Sequence, residues 1–256
     1  MKSFKEKLKE NKVVIGSWIQ IGSPTVTEIM AGSGFEYLVV DLEHSVIGLS
    51  DLLILFQVIA KYNIVPLVRL SSNDPVQIKR VMDAGAMGII VPNVRTPEEA
   101  RMAVKAVKYP PEGERGVGLF RAQGYGADFK EYFDSINSDS VVIVQIEHKE
   151  AVGNIEGIID VDGIDGVMIG PYDLSASYGV PGELEHQNVR EAQELVKKAV
   201  HNRKMTFGIH IIWPSSGEIQ KKIKEGYNFI VYSSDMLVLQ HGFNEAAERI
   251  GCVLKG

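Results

Sequence analysis

The chain alternates short apolar runs with longer amphipathic ones along most of its length. Residues 13–20 form the first apolar run of strand length. Residues 25–33 have helical spacing and lead into the apolar run 37–40. The helical pattern 49–62 precedes the run 65–70, and 74–84 precedes 88–91. A helical stretch at 96–109, a glycine-rich loop and a helix near 129–136 lead to 141–146. A short helix over 151–160 precedes 166–169, 189–202 precedes 206–209, and 215–225 precedes 229–232. Residues 236–253 close the chain as a last helix. Strands that are apolar on both faces and separated by helices mark a parallel sheet covered on both sides. Eight such units in one chain of 256 residues predict a closed barrel rather than an open doubly wound sheet. The expected fold is α/β, a single (β/α)8 TIM barrel domain over residues 1–256.

Composition narrows the function classes. Apolar residues at 45% and charged residues at 23% fit a soluble globular chain, and no apolar stretch reaches the roughly 20 residues of a membrane span. A formal net charge of −6 lacks the basic footprint of a nucleic-acid binder. The one cysteine, Cys252, cannot form an internal disulfide, and the charged opening MKSFKEKLKENK lacks the apolar core of a secretory signal. A cytoplasmic protein is expected, with neither nucleic acid nor membrane as partner. No G-x-G-x-x-G follows the first strand. Gly116-Val117-Gly118 sits in a long loop, so a dinucleotide site has little support.

A barrel directs attention to the C-terminal ends of its strands, where catalytic groups collect. The second strand runs into Asp41-Leu42-Glu43-His44. A histidine beside a carboxylate suits a general base near neutral pH; a structural histidine next to a capping acid has the same pattern. The third strand ends in Arg69, whose planar fork matches carboxylates and enolates; an ion pair with an acid on the neighbouring strand is the alternative. The fifth strand ends in Gln145-Ile146-Glu147 and the sixth in Gly170-Pro171-Tyr172-Asp173. Two carboxylates converging at a barrel mouth repel unless a cation neutralises them, and magnesium or manganese favours such oxygen donors. Asp173 is also placed to cap a helix starting at Leu174. No zinc spacing and no G-x-S-x-G elbow is present; Lys149, directly after this strand end, has Schiff-base potential, and a solvated lysine at a helix start is the alternative.

Taken in order, these positions resemble the metal-dependent 2-oxo-acid aldolases, the family of 4-hydroxy-2-oxo-heptanedioate and 2-dehydro-3-deoxyglucarate aldolases. The landmarks run from Gly16-Ser17-Trp18 through Val40-Asp41-Leu42-Glu43-His44-Ser45, Val68-Arg69, Asp83-Ala84-Gly85-Ala86, Val91-Pro92-Asn93-Val94 and Arg115-Gly116-Val117-Gly118. They end with Gln145-Ile146-Glu147 and Ile169-Gly170-Pro171-Tyr172-Asp173-Leu174-Ser175. The resemblance implies retro-aldol cleavage of a 4-hydroxy-2-oxo acid to pyruvate and an aldehyde. It implies a magnesium, manganese or cobalt ion on Glu147 and Asp173, His44 as base with Asp41 as its acid, and Arg69 on the pyruvate enolate. It also implies Gln145 at the pyruvate site, Ser175 near the substrate, and Asp83 reaching a neighbouring subunit's site. Members similar to this chain are homo-oligomers, commonly hexamers (trimers of dimers) that exchange the last helix. Two segments depart from the pattern, Leu119-Phe120-Arg121 and His210-Ile211-Ile212-Trp213-Pro214, and both are expected on the aldehyde side. Rival readings are a lyase for another oxo-acid or acyl-CoA substrate, a Schiff-base aldolase using Lys149, and a non-catalytic oxo-acid binding barrel.

Overall fold

The computed structural model describes residues 3–213 and 216–255. Eight parallel strands close into a barrel in strict sequence order: β1 (Val14–Ile19), β2 (Tyr37–Asp41), β3 (Val65–Arg69), β4 (Gly88–Val91), β5 (Val141–Ile146), β6 (Gly166–Ile169), β7 (Thr206–Ile211) and β8 (Phe229–Ser234). The helices in chain order are α1 (Phe4–Lys9), α2 (Pro24–Ala31), α3 (Leu49–Ile59), α4 (Pro75–Ala84), α5 (Pro97–Val107), α6 (Phe129–Asp139), α7 (Lys149–Gly153), α8 (Ile155–Ile159), α9 (Pro171–Ser177), α10 (Gln187–Asn202), α11 (Ser216–Lys224) and α12 (Asp235–Lys255). The expected TIM barrel is therefore the observed fold. The expected helix 215–225 begins at a residue outside the described ones, as does Pro214 of the segment that departs from the family pattern.

Local chemistry explains where the helices start. Ser23, Asp74 and Thr96 accept from backbone N–H groups of the first turn, and each is followed by a proline at the first helical position. The proline's missing N–H costs nothing there, because the first turn has no intrahelical acceptors to serve. At the far end of α4, Gly85 takes a left-handed φ of 115°, and the guanidinium of Arg121 lies against it, so a Cβ would collide with Nη1 at 2.3 Å.

Alternation along the strands divides the core into two populations. Leu38, Val40, Val68, Ile89, Val144, Ile169, Ile209 and Ile230 pack outward under the helices. Tyr37, Val39, Leu67, Ile143, Met168, Phe229 and Val231 fill the barrel interior. The interior is packed rather than hollow, as expected of eight strands. Its lower end is plugged by Tyr37 stacked on Phe229 at 4.5 Å, with the Tyr37 hydroxyl donating to the Ile230 carbonyl at 2.7 Å. Helix α1, which no hydrophobic periodicity foretold, closes this end. Leu8 is buried there, and Lys5 donates to the Ser140 carbonyl and pairs with Asp165 at 3.0 Å.

Candidate active site

The interior columns do not stop where the strands stop. Tyr37 and Val39 are followed two residues on by Asp41, Leu67 by Arg69, and Ile143 by Gln145 and then Glu147. With a period of two, each of these polar residues inherits the inward direction of the apolar ones beneath it. Asp41, Arg69, Gln145 and Glu147 are all buried, and their polarity at the barrel mouth is the first sign of a site.

Strands β2 and β3 pair with Asp41 opposite Arg69. The guanidinium donates Nε to Asp41 Oδ1 at 2.8 Å and Nη2 to Oδ2 at 2.6 Å. Gln20 adds a third hydrogen bond to Oδ2 at 2.8 Å. Burial raises the Asp41 pKa, but the hydrogen bonds and charge of Arg69 outweigh it and hold this carboxyl below its ordinary value. Arg69 also lies 4.2 Å from the centre of the Trp18 ring, so one face of the fork is covered, while Nη1 reaches Glu43 Oε2 at 3.3 Å.

The relation between Asp41 and His44 differs from the expected pairing. Asp41 Oδ1 accepts from the backbone N–H groups of Glu43 and His44, at 3.1 and 3.2 Å, and shapes the turn on which His44 stands. It does not contact the imidazole. The acid nearest the ring is Glu43, 3.8 Å from His44 Nε2, and the ring itself is largely exposed. The physical reason is competition: the arginine fork occupies both oxygens of Asp41.

Glu147 lies just past β5. Its Oε1 accepts from the Asn93 N–H at 2.6 Å and its Oε2 from Gln145 Nε2. Burial, the Glu43 charge and the Asp173 charge push its pKa up to about 7. Gly170 makes room for this carboxylate, since a Cβ there would lie 2.6 Å from Oε2. Asp173 is exposed in the first turn of α9, which begins at Pro171, so it is not the cap of a helix starting at Leu174. Gln145 Oε1 and Glu43 Oε2 are buried and have no hydrogen-bond partner.

Trp18, Gln20, His44, Arg69, Gln145, Tyr172, Asp173, His210 and Ile212 line one cavity of about 250 Å³ at this mouth. A wider hollow of about 470 Å³ between α4 and α5 is lined by surface charges such as Lys79, Glu98 and Arg101 and lies away from the strand ends. Two sequence-predicted positions are engaged elsewhere, and a third lies off the cavity wall. The Ser175 hydroxyl is buried, donates to the Tyr172 carbonyl at 2.6 Å and accepts from Gly182 N–H at 2.8 Å, so it braces the α9 loop. Asp83 accepts from Arg115 Nη2 at 2.6 Å and from Gln123 within its own chain. Lys149 is exposed at the start of α7 and is not part of the cavity wall, which removes geometric support from a Schiff base there. Sequence reasoning missed Glu43 and Gln20 as members of this cluster; His210 lies in the segment expected on the aldehyde side, though it was given no role of its own. The inward phase of β7, continuing from Thr206 and Gly208, is the signal that points to His210.

Among the described residues no group of three or more histidine, cysteine, aspartate or glutamate side chains converges on one point. Two carboxylates, Glu147 and Asp173, next to an orphaned amide oxygen on Gln145 fit a hard divalent ion that keeps water and substrate oxygens in its remaining positions.

An eight-stranded barrel whose mouth gathers a buried arginine–aspartate pair, a histidine and further carboxylates defines a barrel enzyme acting on a small anionic molecule. The chain belongs to the HpcH/HpaI aldolase/citrate lyase family, whose model matches residues 14–242. It is 39% identical over 251 residues to the 4-hydroxy-2-oxo-heptane-1,7-dioate aldolase of Salmonella typhimurium, covering 97% of this chain and 94% of that one. Among solved structures it is similar to an HpcH/HpaI aldolase/citrate lyase family protein from Burkholderia cenocepacia, with a TM-score of 0.91 and 30% identity over 96% of this chain and 98% of the other. It is also similar to the HpcH/HpaI aldolase from Desulfitobacterium hafniense, with a TM-score of 0.88 and 30% identity over 98% and 97% of the two chains. The protein is an enzyme, a carbon–carbon lyase of the retro-aldol type.

Proposed function

We propose that this enzyme cleaves a 4-hydroxy-2-oxo acid of the sugar-acid or dicarboxylic type to pyruvate and an aldehyde, with a divalent cation held by Glu147 and Asp173. One observation carries the reading. Glu147 is a buried carboxylate flanked by the charges of Glu43 and Asp173, beside the unpartnered Gln145 oxygen. Such a cluster is costly without a counter-charge and well suited to one.

The cation, magnesium, manganese or cobalt, supplies Lewis acidity toward the keto oxygen when bound. Arg69, held by Asp41 through Nε and Nη2 and lining the cavity, donates to the keto oxygen as negative charge builds there. Gln145 helps seat the oxo acid. His44 removes the proton from the C4 hydroxyl. The C3–C4 bond then breaks, its electron pair moves toward the keto oxygen, and a proton delivered to C3 completes pyruvate. Asp41 assists by fixing Arg69 and the backbone turn under His44. Ser175 acts through the loop it braces. The α9 and β7 ends, with Tyr172 and Ile212, bound the aldehyde side.

A homo-oligomer, a hexamer in which α12 is exchanged and Asp83 approaches a neighbour's site, is part of this proposal. Support comes from α12, which leaves Val238, Leu239, Phe243 and Ile250 exposed on an isolated chain. The test is a panel of 4-hydroxy-2-oxo acids, with the heptanedioate first, monitored for pyruvate release after EDTA treatment and after return of each cation. Undiminished turnover in EDTA, or no pyruvate from any member, sinks the proposal.

A further inference from the structure

One polar group on the cavity wall has no task in the chemistry above. His210 lines the same cavity as Arg69, Gln145 and Asp173, from the β7 side. Its ring meets Trp18 edge-on, with centroids 5.9 Å apart and planes at 89°. The backbone of Ser233 engages the ring by a hydrogen bond, while Nε2 is buried and has no partner. Burial, then the nearby Arg69 charge, pushes the His210 pKa down to about 4, so the ring is neutral at neutral pH. A neutral imidazole that donates one N–H to a carbonyl presents its other nitrogen as a lone pair. Nε2 is therefore an acceptor in need of a donor.

The chemistry of the substrate restricts what that donor is. The carboxylate and keto oxygens of an oxo acid only accept, so a lone pair repels them. The C4 hydroxyl gives its proton to His44. What remains is a hydroxyl beyond the bond that breaks. We propose that His210 is a specificity-determining residue whose Nε2 accepts a hydrogen bond from a hydroxyl on the aldehyde half of the substrate, favouring hydroxyaldehydes over alkyl aldehydes. This rests on the retro-aldol reading above. A pocket built to pair with a hydroxyl discriminates against the analogue that lacks it more strongly than an apolar pocket discriminates by size.

The test runs the reaction toward addition, with the full-length protein, magnesium and pyruvate. Glycolaldehyde and propanal are a matched pair, with a hydroxyl in one where the other has a methyl. Their kcat/KM ratio is measured in the wild type, in His210→Met and in His210→Gln, two side chains of similar shape. Comparing ratios between variants cancels the intrinsic reactivity of the aldehydes. We expect methionine to lower the glycolaldehyde preference about tenfold or more, and glutamine, which keeps an acceptor oxygen, to retain most of it. His210→Leu stands in if the methionine variant does not fold. A ratio within about twofold of wild type in the apolar variant overturns the assignment. Exchange of the pyruvate methyl protons with deuterated solvent, read by mass spectrometry, reports enolate formation without any aldehyde. Exchange and addition with an unchanged ratio sink the His210 inference alone, whereas neither exchange nor addition sinks the aldolase reading and this inference with it.

Discussion

Asp41 and Arg69 sit opposite one another on β2 and β3 and are joined by two parallel hydrogen bonds of 2.8 and 2.6 Å, both side chains buried. Removing one member of a buried pair strands the other charge, at a cost of about 3–5 kcal/mol. Asp41→Ala is expected to lose stability in that range, read from urea unfolding midpoints. A loss below about 1 kcal/mol would mean that water reaches the arginine as readily as on an open surface. Arg69→Lys should also fail to restore activity, because an ammonium lacks the fork that spans both oxygens.

His44 has an exposed ring with Glu43 as the nearest acid. His44→Ala should lower kcat by about 10²–10⁴, the usual loss for a general base. Near wild-type turnover in that variant would remove His44 from the mechanism.

Gly170 gives Glu147 its space, because a Cβ would lie 2.6 Å from the carboxylate oxygen. Gly170→Ala is expected to leave the barrel folded by circular dichroism and to weaken divalent-cation affinity about tenfold or more by calorimetry, as for other displaced ligands. Cation affinity equal to wild type would show that Glu147 does not hold the ion.

The raised pKa of Glu147, about 7 against an ordinary 4.5, predicts an unusual pH trend for protein kept in EDTA. Between these values the folded chain holds the proton and the unfolded chain has released it. The stabilising contribution is therefore complete below about 4.5 and is lost as pH rises through about 7. The Tm of wild type relative to Glu147→Gln should fall over that interval. Added cation should oppose the fall, since it needs the ionised carboxylate. A difference that is flat with pH would contradict the burial and like-charge repulsion invoked here.

Helix α12 bears on assembly. Deleting residues 237–256 is expected to leave a smaller species by sedimentation velocity. An unchanged mass would assign the contacts between subunits to other surfaces.

Much of this architecture was legible in the chain. The eight apolar runs fall on the eight observed strands within a residue or two at most ends, because a parallel strand under helices must be apolar on both faces. Asp41, Arg69, Gln145 and Glu147 stand out in the sequence because each interrupts or ends such a run, and the structure buries all four at the barrel mouth. β7 was read as ending at residue 209, yet it continues to Ile211, since the inward His210 breaks the apolar pattern that marks a strand. The capture of Asp41 by Arg69 depends on the register between two strands, which no linear pattern contains. Helix α1 escaped because it is six residues long and mostly charged. Its one local signal is the reciprocal cap between Ser3 and Glu6. The intrachain partners of Ser175 and Asp83 come from residues apart in the sequence, Gly182 and Arg115, and no linear pattern announces them.

The division of each strand into an outward and an inward column has a consequence for substitution. Residues that anchor the helical jacket and residues that face the barrel mouth occupy alternate positions, so one set can be replaced without repacking the other. A replacement at an inward tip therefore alters the mouth of the barrel while the outward packing that keeps the barrel closed is left intact.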